Sequence, residues 1–218
     1  MLLLAIDTSG KQGGITLARG TDSETDLIES APIPGGTFSA ELIPQIAEML
    51  LRQNLSVADL TGLVAVTGPG SFTGLRVGLT AVKGLAEALK IPISAVSSLE
   101  VLLAAAEDQN GMIGLLDAGR GEVYAAIQKD NEFTETLLSG DEAIDVARRE
   151  RLRLVISDGA LASKFPGAQL ISYRSSEVAA TLGARKLRAG DTVDVLALDA
   201  NYIRKSEAEY MQKLKKVE

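Results

Sequence analysis

The chain has 218 residues, 46% hydrophobic and 23% charged, a balance that supports a packed globular core and argues against disorder. It contains neither cysteine nor histidine, which excludes disulfides, thiol nucleophiles, thiolate or imidazole metal sites and Ser-His-Asp triads. Its net charge of −7 repels a phosphate backbone, so a stand-alone nucleic-acid binder is not expected, and the short basic clusters around Arg148, Arg185 and Lys213 read as solvated helix faces.

The start, MLLLAID, reaches Asp7 without a basic leader, and no apolar run approaches the roughly 20 residues of a membrane-spanning helix. A cytoplasmic protein with no membrane attachment is expected. Residues 2–6 read as a buried strand, followed by a polar turn and by strands at 14–18 and 26–31. Helical spacing covers 39–53, with Ser39 as the candidate cap and Pro44 either delaying the start or bending the helix. A strand at 63–66, a helix at 71–90, a strand at 93–95 and a helix at 99–107 complete the first half.

From Met112 the pattern repeats: strands at 112–116, 122–128 and 133–138, a helix at 142–149, a strand at 152–156 and a helix at 176–188. Asp117 ends the first of these strands as Asp7 ends the first strand of the chain. The repetition predicts two related α/β subdomains, 1–107 and 108–218, each a mixed sheet with flanking helices. The actin, Hsp70 and sugar-kinase superfamily, built from duplicated RNase H-like subdomains, shares this arrangement. Its aspartates at such positions face nucleotide phosphates and metal across a cleft. The alternative is that Asp7 and Asp117 each accept backbone hydrogen bonds within their own turn.

Residues 68–78, GPGSFTGLRVG, sit between a strand and a helix, where phosphate loops occur. The spacing fits neither GxxxxGK[ST] nor GxGxxG, because Gly74 is followed by Leu75 and Arg76. At about 100° per residue the helix presents Gly74, Gly78, Ala81 and Ala88 on one stripe. Leu75, Leu79 and Val82 fall on the next stripe, with Arg76 and Lys83 on the far side. In the earlier helix, Leu42, Ile43, Ile46, Ala47, Met49, Leu50 and Leu51 spread over roughly 200°, more than one-sided burial requires. Two such helices predict a surface that docks a second chain through Leu42, Ile43, Ile46, Met49, Leu50, Phe72, Leu75, Arg76, Leu79, Val82 and Lys83. Packing of the glycine stripe on the chain's own sheet is the alternative.

Taken together, AIDTS (5–9), FSAELIPQI (38–46), GPGSFTGLRVG (68–78), LDAGRGEVYAA (116–126) and NYIRKSEAE (201–209) resemble the TsaB family. These are the dimerization subunits of the bacterial tRNA threonylcarbamoyladenosine complex, within the glycoprotease-like group of the actin/Hsp70 superfamily. The resemblance implies a non-catalytic subunit that pairs through the two helices with a TsaD-like catalytic subunit, and forms a homodimer when that partner is absent. With a TsaE-like ATPase, the assembly transfers threonylcarbamoyl to the adenosine 3′ of the anticodon in tRNAs reading codons that begin with A.

The resemblance also implies that ATP, Mg and metal belong to the partners and that tRNA is met only through the complex. No cofactor of the chain's own is implied. Asp7, Thr8 and Asp117 become a vestigial nucleotide site. Phe38 stands where relatives carry a histidine, and the turn after Asp7 is shorter than usual. The competing expectation is an autonomous ATP-dependent enzyme using Asp7 and Asp117, with Glu122 as base and residues 157–160, SDGA, as the adenosine loop. A peptidase without His, Cys or a metal site has no evident nucleophile–base pair.

Overall fold

A computed structural model describes residues 1–106, 111–130 and 132–203. Strands β1 (Leu2–Asp7), β2 (Gln12–Gly20) and β3 (Thr25–Pro34) form an antiparallel meander, followed by α1 (Phe38–Arg52). The first half continues with β4 (Gly62–Val66), α2 (Phe72–Leu89), β5 (Ile93–Val96) and α3 (Ser98–Ala104). The second half repeats it: β6 (Met112–Gly119), β7 (Glu122–Lys129), β8 (Glu132–Ser139), α4 (Gly140–Glu150) and β9 (Arg153–Ile156). A four-residue α5 (Gly159–Ala162), a two-residue β10 (Gln169–Leu170) and α6 (Ser175–Arg188) follow.

The sheets have orders β3-β2-β1-β4-β5 and β10-β9-β6-β7-β8, the same order once the second is read in reverse. In both, the meander is antiparallel and the two strands on the other side run parallel to the first strand. The expected duplicated α/β architecture of mixed sheets with flanking helices is what forms.

Local chemistry sets several boundaries. Ser71 caps α2 by accepting from the Gly74 N–H, and Ser97 and Ser139 close reciprocal boxes with Glu100 and Glu142. The cap of α1 is Thr37, whose hydroxyl donates to the Pro34 carbonyl; Ser39 lies inside the helix and is exposed. Pro44 does not delay the helix, which begins at Phe38. Pro44 and Ala40 are both exposed, so water can serve the Ala40 carbonyl that lacks an intrahelical donor. β3 runs on through Pro32 and Pro34 because it is an edge strand.

The two halves exchange helices across the expected 107/108 boundary, which falls outside the described residues. α6 packs on the first sheet, where Ala179, Ala180 and Ala184 meet Leu3, Ala5 and Val64. A Cβ on Gly183 would lie 2.3 Å from Val64 Cγ2, so only glycine allows this approach. α3 packs on the second sheet, with Leu99, Leu102 and Leu103 against Met112, Ala126 and Val155. Lys186 of α6 joins Glu100 of α3 at 3.0 Å. The last strand of the first sheet ends at Val96 and the first strand of the second begins at Met112, whereas the cores are not divided between the two halves of the chain.

After α6 the chain returns to the first sheet. Val193 pairs with Ile93, Leu198 is buried, and the Asn201 N–H donates to the Thr67 carbonyl at 2.7 Å. Against the expected helix 99–107, whose last residue lies outside the described residues, α3 ends at Ala104 with Ala105 as its cap, and the 201–209 motif is described only as far as Ile203.

Candidate functional site: the cleft between the sheets and the face of α1 and α2

A cleft of about 1310 Å³ separates the two sheets and brings together Asp7, Lys11, Asp117, Asp158, Tyr173 and Glu177. Asp7 is buried, and its Oδ1 accepts the Ser9 N–H at 2.8 Å. Asp117 is exposed, and its Oδ1 accepts the Gly119 N–H at 3.1 Å. The aspartates thus share one cleft while each closes its own turn.

Thr8 does not face that cleft with a free hydroxyl. Its Oγ1 is buried and donates to the Gly74 carbonyl at 2.7 Å. A Cβ on Gly74 would lie 2.1 Å from the Thr8 carbonyl oxygen, and one on Gly78 would lie 2.2 Å from Thr8 Oγ1. The Ser71 N–H also donates to the Ser9 carbonyl at 2.7 Å. The glycines of GPGSFTGLRVG therefore receive the AIDTS turn of the same chain, which corrects both the ligand role of Thr8 and the docking role of Gly74 and Gly78.

Lys11 and Asp158 meet across the cleft at 3.1 Å. The Ala160 N–H and then Lys11 hold the Asp158 carboxyl below its ordinary range. Lys11 is 87% exposed, so the pair contributes little energy. Asp158 Oδ1 caps α5, the local task of the SDGA segment. Tyr173 touches the cores of both halves, and burial, reinforced by the charge of Asp7, raises its phenol above the usual value. Glu122, the candidate base, is not among the residues lining the cleft. Among the described residues, no three acidic side chains gather as a metal site.

The second candidate is the outer face of α1 and α2. Leu42, Ile46, Met49, Leu50, Leu79 and Val82 join the core that these helices form with the first sheet, and Leu75 is 1% exposed. These seven expected contact residues are internal: the wide apolar arc of α1 is divided between its sheet and α2, not between core and surface. Ile43 (56% exposed), Phe72 (52%) and Arg76 remain outside, with Lys83 half-buried.

Leu51, 75% exposed, was also on the apolar arc of α1. A groove of about 540 Å³ runs between the helices beside Ile43, Phe72, Val77 and Ala81. The Arg76 guanidinium lies 3.8 Å over the Phe72 ring, and the Tyr202 ring lies 5.8 Å from it between centroids. Sequence periodicity missed Tyr202, because the segment that delivers it is irregular.

A Bacillus subtilis protein named tRNA threonylcarbamoyladenosine biosynthesis protein TsaB is 41% identical over 58% of this chain and 55% of its own length. The Escherichia coli protein of the same name is 31% identical over 63% of this chain and 62% of its own. The chain thus matches little more than half the length of these curated relatives. A Pseudomonas aeruginosa crystal structure, titled as similar to the peptidase YeaZ, superposes with a TM-score of 0.72 at 22% identity. That superposition covers 93% of this chain and 99% of the other, and shows the shared fold. The family model of TsaD, tRNA N6-adenosine threonylcarbamoyltransferase, matches residues 35–210, and the chain belongs to that family.

Proposed function

We propose that this chain is a cytoplasmic, non-catalytic subunit in tRNA threonylcarbamoyladenosine biosynthesis, docking a TsaD-like catalytic subunit through the outer face of α1 and α2. The observation that carries this reading is the pair of exposed apolar side chains, Ile43 and Phe72, that line an open groove between two packed helices, with the exposed Leu51 further along α1. A TsaE-like ATPase joins the assembly, and tRNA is held through the complex. The names of the curated relatives support the pathway.

Three features support a non-catalytic role. The sequence has no His or Cys. The Thr8 hydroxyl is spent on α2, and both cleft aspartates accept hydrogen bonds from their own turns. These residues do not fit a nucleotide–metal clamp. Without the partner, an isologous dimer would cover the same face.

Reconstitution tests the proposal. Threonylcarbamoyl transfer to tRNA by the TsaD-like and TsaE-like proteins should require this chain, and Phe72→Asp should abolish the requirement's fulfilment while the variant stays folded. Full transfer in the absence of the chain would refute it.

A further inference from the structure

We propose that the C-terminal strap, residues 199–203, is part of the docking surface, and that this surface fits a partner helix bearing carboxylates about two turns apart beside apolar side chains. The inference rests on the docking role proposed above and specifies the chemistry of the partner.

The strap is held in place by its own polar groups. Besides the backbone bond to Thr67, Asn201 Nδ2 donates to Glu135 Oε2 at 2.6 Å. The other Glu135 oxygen accepts the hydroxyl of Ser97, the cap of α3. Leu198 anchors the preceding turn in the first core. This course sets Tyr202 against Phe72, yet the two rings remain 45% and 52% exposed. Their contact therefore does little for the core. Two half-exposed aromatic rings with an arginine stacked on one of them form the kind of cluster enriched at the energetic centres of interfaces.

Charge narrows the partner. Arg52 pairs with Glu29 and Glu48, and Lys90 with Glu87. Arg76 and Lys83 pair with no carboxylate among the described residues. They lie seven positions apart on α2, a separation of about 10.5 Å along the axis. Just beyond Lys83, nothing lies within 4 Å of the position a Cβ on Gly84 would occupy, so a partner helix can approach closely. On a chain of net charge −7, Arg76 on the wall of the apolar groove and Lys83 seven positions further along α2, both without a carboxylate partner among the described residues, select acidic groups at matching spacing.

The test measures affinity for the TsaD-like partner by calorimetry at low and high salt. Tyr202→Ala should weaken binding about tenfold or more, Tyr202→Phe should stay within about threefold, and neither should change the melting temperature. Arg76→Gln with Lys83→Gln should weaken binding at low salt and flatten its salt dependence. Wild-type affinity in Tyr202→Ala, or an unchanged salt dependence in the double variant, would overturn this inference alone. Absence of binding by the wild-type chain would overturn the docking role and this inference with it.

Discussion

The Thr8 hydroxyl donates to the Gly74 carbonyl at 2.7 Å, inside a helix whose Gly78 leaves no room for a methyl group beside that same oxygen. One threonine thus occupies the notch made by two glycines of α2, and it joins the two most recognisable segments of the sequence.

Gly78→Ala places a Cβ 2.2 Å from Thr8 Oγ1 and should cost about 1–3 kcal/mol, as overpacking does. Thr8→Ala should cost about 1 kcal/mol through the lost hydrogen bond. Because Thr8→Ala also removes the obstructing oxygen, the double variant should be more stable than the sum of the single losses implies. Urea unfolding of the four proteins checks this; strict additivity would mean that the notch does not exist.

The exchange of α6 and α3 makes the two sheets depend on one another. Heating the intact chain should give one cooperative transition by both circular dichroism and calorimetry. Residues 1–106 expressed alone lack α6 and leave Leu3, Ala5 and Val64 uncovered, so they should aggregate or remain unfolded. A stably folded fragment would contradict the packing of α6 on the first sheet.

Substitutions in α1 and α2 should separate core from face. Ile46→Asp and Leu79→Asp bury an unpaired carboxylate and should cost more than about 4 kcal/mol, enough to unfold a marginally stable chain. Ile43→Asp should leave the melting temperature within a few degrees, because Ile43 is 56% exposed. Thermal melts distinguish the two classes.

Glu29 ties the edge strand β3 to the end of α1, accepting from Arg52 at 2.6 Å and from Gln53 at 2.8 Å. Arg52, then Gln53, hold its carboxyl below the usual value of 4.5. A depressed carboxylate stabilises the fold above its unfolded value, and that contribution disappears as the pH falls through the folded one. Glu29→Gln should therefore lower the melting temperature at neutral pH, with the deficit shrinking as the pH falls below about 4.5. An equal deficit at all pH values would show that the charge contributes nothing.

Much of this fold was legible because a short apolar run leading into an aspartate and a glycine-bearing turn, at Asp7 and again at Asp117, opens both halves. The exchange of helices was not: the alanines and Gly183 of α6 reveal a small face but not which sheet it meets. The same limit applied to the site. The glycines of α2 correctly implied a close backbone approach, yet periodicity could not say that the visitor was Thr8 of the same chain. A broad apolar arc on α1 likewise implied two neighbours, and α2 proved to be the second. Tyr202 had no pattern to reveal it, because a hydrogen-bonded strap, not a helix or strand, carries it to Phe72.

Sedimentation velocity of the chain mixed with the TsaD-like partner tests the docking claim most directly. The wild-type chain should form a heterodimer, whereas Phe72→Asp and Ile43→Asp, each with a native melting curve, should sediment as free chains. Complexes of both variants as abundant as the wild type's would contradict the account.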